Sequence, residues 1–209
     1  MLTDIDRAEL CAAIYQDPSP VTWDKEYESP LGHAALKRID GINRIVRRGS
    51  KDPIDWYRDF IALPREFPPL GWVHPGILAG VLWTFKEMEA DLGSDPYELL
   101  GHSLGGGEII GQAGLMIARG HPPQLVVAFE PPRVAFRSLC DHTRTRTYRN
   151  LDDPVTEVPD LEIPFEGRYV PEMAFIGLAG KPSVYDTSPL RAHHIGCVIA
   201  GLRALTPVA

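Results

Sequence analysis

The chain has 209 residues, 44% hydrophobic and 23% charged, with 21 Lys and Arg against 28 Asp and Glu for a formal net charge of −7. That length suits one globular domain, and an acidic balance with no basic stripe excludes the usual nucleic-acid partner. No apolar run is long enough for a spanning helix, and Asp4, Asp6 and Glu9 stand where a signal peptide carries positive charge, so a cytoplasmic location is expected.

The elements follow in chain order. Residues 3–15 are predicted as a helix capped by Thr3, with Ile5, Leu10, Cys11 and Ile14 on one face. Residues 17–30 form a proline-broken connection. Residues 34–39 and 42–47 flank Asp40-Gly41, a two-residue hairpin signal. Residues 50–72 are irregular and rich in proline and aromatics. Pro75 opens a helix in which Leu78, Val81, Leu82, Phe85 and Met88 recur at helical spacing, and Gly93 closes it. A short strand at 97–100 leads to a small-residue helix at 105–119. Further strands are predicted at 125–129 and 144–149, and a last helix over 189–205. Strands alternating with helices imply an α/β fold, a mostly parallel sheet flanked by helices in a compact single domain. Residues 1–30 belong to that domain with 31–209. The three cysteines show no ligand spacing and read as buried thiols.

Gly101-His102-Ser103-Leu104-Gly105 fits GxSxG, with an apolar strand before it and a helix after it. A serine on such a turn projects above the sheet, and the helix N-terminus favours nearby negative charge. Its hydroxyl is a weak nucleophile without a base, and the base needs an acid to orient it. On this kind of elbow, acid and base follow in that order. Asp152 and Asp153 come just after the strand at 144–149; Asp141, Asp160 and Asp186 fit less well by position. His193 and His194 lie in the last helical region, beyond the acid. Adjacent histidines point in different directions, so at most one is the base. No HExxH or His/Cys ligand spacing is present, so no metal and no cofactor is expected.

At these residues the chain resembles the class 3 lipases, the fungal-type lipase family of α/β-hydrolases. The likeness runs from about Ile42 to Leu202 in ordered blocks. Ile45-Val46-Arg47-Arg48-Gly49-Ser50 with Asp55-Trp56 and Asp59-Phe60 resembles its FRG[ST] and DW…D segments. Val73-His74-Pro75-Gly76 resembles its VHxGF block, residues 101–106 its nucleophile elbow, and Phe129 to Val134 its FGxPRVG. Asn150 to Val155 resembles N-x-x-D-x-V-P, and Ala192-His193-His194-Ile195 the C-terminal histidine block. The chain departs from the pattern at Arg48, at Glu130-Pro131 in place of a glycine-led turn, at Thr156 and at Val198.

The resemblance implies a carboxylic-ester hydrolase of the esterase or lipase type. It selects Ser103 as nucleophile, Asp153 as acid and His193 as base, with His194 as the alternative base. It implies an oxyanion hole from Ser50 and the Leu104 N–H. It also places Trp56, Tyr57 and Phe60 where the family has its lid and meets substrate. The partners expected are a small-molecule ester or lipid and transient contact with a lipid interface. No nucleic acid and no integral membrane segment are expected.

Overall fold

A computed structural model describes residues 1–50, 64–135, 139–140, 145–150, 153–157, 173–176 and 193–205. Helix α1 (Asp4–Ala13) starts at a capping box. The Thr3 hydroxyl accepts from the Asp6 N–H at 3.2 Å, and the Asp6 carboxylate accepts from the Thr3 N–H at 2.6 Å. Strands β2 (Gly32–Ile39) and β3 (Ile42–Arg48) form the expected hairpin, with Ile39 opposite Ile42. Asp40 at φ 53° and Gly41 at φ 75° give the two left-handed residues that a type I′ turn requires.

Three short strands fall in the predicted connections. β1 (Lys25–Ser29) pairs antiparallel with β2, although Tyr27 is its one large apolar residue. Its order comes from the neighbouring strand, not from its own composition. β4 (Arg65–Phe67) and β5 (Gly71–Val73) make a separate small hairpin within the stretch expected to be irregular.

Helix α2 (Pro75–Leu92) leads to β6 (Tyr97–His102), and α3 (Leu104–Ala118) leads to β7 (Leu125–Phe129). Next come β8 (Thr145–Asn150), a single 3-10 turn (Val155–Glu157), β9 (Met173–Ile176) and α4 (Ile195–Leu205). The four residues of β9 were not predicted. The last helix begins at Ile195, so His193 and His194 precede it.

Among the described residues the main sheet has seven strands, in the order β1-β2-β3-β6-β7-β8-β9. The first two pairings are antiparallel and the other four are parallel. Alternate side chains feed two cores. Ile45, Leu99 and Val126 face α2 and α3, whereas Val46, Leu100 and Val127 face α1 and α4. The parallel strands are thus covered on both sides, which is why 125–129 reads as an unbroken apolar run.

A buried polar cluster ties the first core together. Arg47 on β3 donates to Gln112 at 2.8 Å and Glu108 at 3.0 Å on α3, and to Thr84 on α2 at 2.9 Å. Burial lowers the Arg47 pKa and raises that of Glu108, so their pairing offsets a desolvation cost both carry.

Candidate active site

β6 ends at His102, and the chain turns into α3 through Ser103 at φ 59°, ψ −132°. This left-handed backbone costs a non-glycine residue about 1–2 kcal/mol. The turn is held by the Ser103 N–H on the Phe129 carbonyl at 2.9 Å and by the Gly107 N–H on the Ser103 carbonyl at 3.1 Å. Its tightness explains the flanking glycines. A Cβ on Gly101 would lie 2.3 Å from the Gly105 carbonyl oxygen, and one on Gly105 would lie 2.2 Å from that of Arg47.

Ser50 follows β3, the strand beside β6. A Cβ on Gly49 would lie 2.8 Å from the Ser103 Cβ, so the β3 end packs directly on the elbow and puts the Ser50 peptide next to the serine. The Leu104 N–H opens α3, among the first-turn donors that have no partner within the helix.

Asp153 comes three residues after β8 and is fully buried. Its N–H donates to the Asn150 carbonyl at 3.2 Å, and its Oδ1 accepts from the Val155 N–H at 2.9 Å. Oδ2 is thereby aimed at His193, whose Nδ1 lies 2.9 Å away. A carboxylate acceptor there requires the proton on Nδ1. The lone pair is then on Nε2, which is buried without a hydrogen-bond partner among the described residues. His194 takes another direction: it is exposed, and its Nδ1 accepts from the Gly196 N–H at 3.1 Å.

His102 links the elbow to the base. Its ring stacks on that of His193, with centroids 4.9 Å apart and planes 30° apart. Its Nε2 lies 2.8 Å from the His193 carbonyl oxygen and so carries the proton. Nδ1 then accepts from the Tyr15 hydroxyl at 2.9 Å, and that oxygen accepts from the Gly49 N–H at 2.9 Å. Burial, with His193 close by, holds the His102 pKa well below the ordinary histidine value, so the ring stays neutral. One chain of hydrogen bonds therefore runs from the β3 end, through Tyr15 just beyond α1 and His102, to the backbone of His193.

Glu130 follows β7 at φ 51° and is fully buried. Its Oε1 accepts from Asn150 Nδ2 at 2.8 Å, and its Oε2 lies 3.2 Å from His102 Nε2 and 3.5 Å from His193 Nδ1. Burial, then the charge of Asp153, raises its pKa well above the usual carboxylate range. Sequence reasoning saw only that Glu130 stands in place of a glycine-led turn, and that departure was the signal of a side chain in the site. His102, Glu130 and His193 put potential metal-ligating atoms within 4.8 Å of one another, but the protonated His102 Nε2 has no lone pair to offer a metal.

Trp56, Tyr57, Phe60 and the rival acids Asp141, Asp152, Asp160 and Asp186 lie outside the described residues. His74 is a helix cap, its Nδ1 accepting from the Ile77 N–H at 3.4 Å. His33 is bonded to Glu26 at 2.8 Å on the far edge of the sheet.

No family model matches the chain, and no curated protein matches it by sequence. Solved structures do match. The Rhizomucor miehei triacylglyceride lipase superposes with a TM-score of 0.66 at 20% identity, over 83% of this chain and 79% of that one. The chain has the fold of the fungal triacylglycerol lipases. The Penicillium expansum triacylglycerol lipase matches with a TM-score of 0.55 at 16% identity, over 76% of this chain and 73% of its own. A triacylglycerol lipase whose catalytic centre is a serine-protease triad matches with a TM-score of 0.61 at 21% identity, over 75% of this chain and 73% of its own. The resemblance in ordered sequence blocks thus has a counterpart in the lipase-like fold.

Proposed function

We propose that the protein is a serine carboxylic-ester hydrolase that works through Ser103, His193 and Asp153. The observation that carries this reading is the Asp153–His193 pair at 2.9 Å, with a His193 Nε2 that has no partner among the described residues, in the cluster that abuts the strained Ser103 turn. The serine-protease triad of a lipase with the same fold supports it.

In this reaction His193 Nε2 takes the Ser103 proton as the hydroxyl oxygen attacks the ester carbonyl. The backbone N–H groups of Ser50 and Leu104 hold the tetrahedral oxyanion, and the start of α3 adds its dipole. Asp153 keeps the Nδ1–H tautomer and stabilises the imidazolium. His193 then returns the proton to the departing alcohol, leaving an acyl group on Ser103. Water, deprotonated by the same imidazole, releases the acid and restores the serine. The substrate class is a small-molecule ester or lipid, which puts the protein in lipid metabolism. From the family resemblance, Trp56, Tyr57 and Phe60 contact the acyl part.

The test is hydrolysis of p-nitrophenyl acetate, butyrate, octanoate and palmitate by the protein and by Ser103→Ala. The substitution is expected to lower kcat by roughly 10³-fold or more. A fluorophosphonate probe should label the protein and spare the variant. Activity within tenfold of the parent would refute the assignment, and the chain-length profile separates esterase from lipase.

A further inference from the structure

Glu130 carries two costs at once. Its backbone is left-handed without being glycine, and its carboxyl is fully buried with no lysine or arginine partner among the described residues. Strained, buried, polar positions of this kind cluster at working sites. Among the described residues, the ionisable groups around it are His102 on β6, Asp153 beyond β8, His193 just before α4, Cys197 on α4 and Tyr15 after α1. None is a permanent cation. What Glu130 does reach is the edge of the His193 ring that Asp153 already occupies.

Resting on His193 as the base, we propose that its imidazole is served by two carboxyl groups, Asp153 and Glu130, which hold one negative charge between them. Glu130 is a positioning residue in this arrangement, since it acts through His193. Two carboxyls this close to one imidazole cannot both ionise cheaply. Asp153 keeps the charge in the resting protein, because Oδ1 accepts a backbone N–H and Oδ2 the Nδ1–H. Glu130 keeps the proton, because burial with no cationic partner among the described residues, and then the charge of Asp153 beside it, oppose its ionisation. When Asp153 is neutralised, the repulsion disappears. Glu130 then releases its proton to solvent, and its carboxylate, 3.5 Å from Nδ1, takes over the imidazole. The site holds one negative charge in either case.

The experiment compares Asp153→Asn in two backgrounds, the natural chain and Glu130→Gln. It reads kcat for p-nitrophenyl butyrate and the His193 imidazolium pKa by NMR titration. Loss of a lone triad acid costs about 10⁴-fold in kcat. Here Asp153→Asn is expected to cost about 10²-fold in the natural background and about 10⁴-fold with Glu130→Gln, a strong departure from additivity. The imidazolium pKa should hold within about half a pH unit in Asp153→Asn, and fall by about one pH unit or more when Glu130 is also replaced. Equal losses in both backgrounds would overturn the proposal. If the double variant does not fold, the titration of Asp153→Asn alone decides, and a fall of about one pH unit overturns it. The titration needs no turnover. Failure of the ester-hydrolase reading would show as no hydrolysis and no Ser103 labelling, separately from the behaviour of His193.

Discussion

Ser103 pays for its placement in backbone conformation. Its φ of 59° belongs to the left-handed region, and only the interlocked strand, turn and helix hold it there. Replacing it with glycine removes both the hydroxyl and the strain. Ser103→Gly is therefore expected to be more stable than Ser103→Ala by about 1 kcal/mol, read as a higher urea midpoint, while both lack esterase activity. His102 gives a second prediction at this scale. Because burial keeps its folded pKa below the unfolded value of about 6.5, the unfolded chain takes up a proton first as the pH falls. Its contribution to stability is complete above that value and declines below it. Glu130 acts in the opposite sense, since its raised pKa lets the folded chain take up a proton before the unfolded one. Urea midpoints measured between about pH 7 and 5 should thus fall less for His102→Asn than for the natural chain.

The elements differ in how much of their order is their own. α1 has a local start signal in Thr3 and Asp6, and it forms as expected. Thr3→Ala is expected to cost about 1 kcal/mol in thermal or urea unfolding. The Asp40-Gly41 hairpin is equally local, because a two-residue turn with both φ values positive sets the register from Ile39↔Ile42 to His33↔Arg48. β1 and β9 carry no such signal, and sequence periodicity misses both. β3 shows the reverse case. Arg47, a charged residue in a strand, is almost fully buried because α2 and α3 bring Thr84, Gln112 and Glu108 to it. Arg47→Met leaves the Glu108 charge unpaired and is expected to cost about 3–5 kcal/mol. Adding Glu108→Leu should recover most of that loss, as measured by the denaturation midpoint.

At the scale of the whole molecule, the N-terminal segment is joined to the sheet on both core and site levels. Ala8, Cys11 and Ile14 pack with Leu100, Val127 and Phe129, Arg7 pairs with Glu98 on β6 at 2.9 Å, and Tyr15 reaches His102. We therefore propose that residues 1–30 fold with 31–209 as one cooperative unit. Cys11 reports on this, since burial pushes its thiol pKa far up and leaves it unreactive. In a Cys140→Ala, Cys197→Ser variant, Cys11 should react with a thiol reagent only at the rate of global unfolding. A faster reaction would mean that α1 undocks by itself.

The sequence alone determined what local chemistry can specify. The GxSxG turn between an apolar strand and a small-residue helix, the capping box, the hairpin and the alternation of strands with helices all rest on residues close together in the chain. Those signals made the α/β class and the lipase-like fold legible. The relation among distant residues needed the tertiary structure. Asp153 and His193 are 40 positions apart, and their 2.9 Å contact exists because β8 and α4 bring them together next to His102 at the end of β6. Sequence blocks left His193 and His194 as rivals; the fold puts His193 against the acid and His194 in solvent. For Glu130 the sequence offers a departure from the family's glycine-led turn and no role. Its meaning lies in burial, in a backbone that favours glycine and in two imidazoles reached through space, and long-range packing is what creates all three.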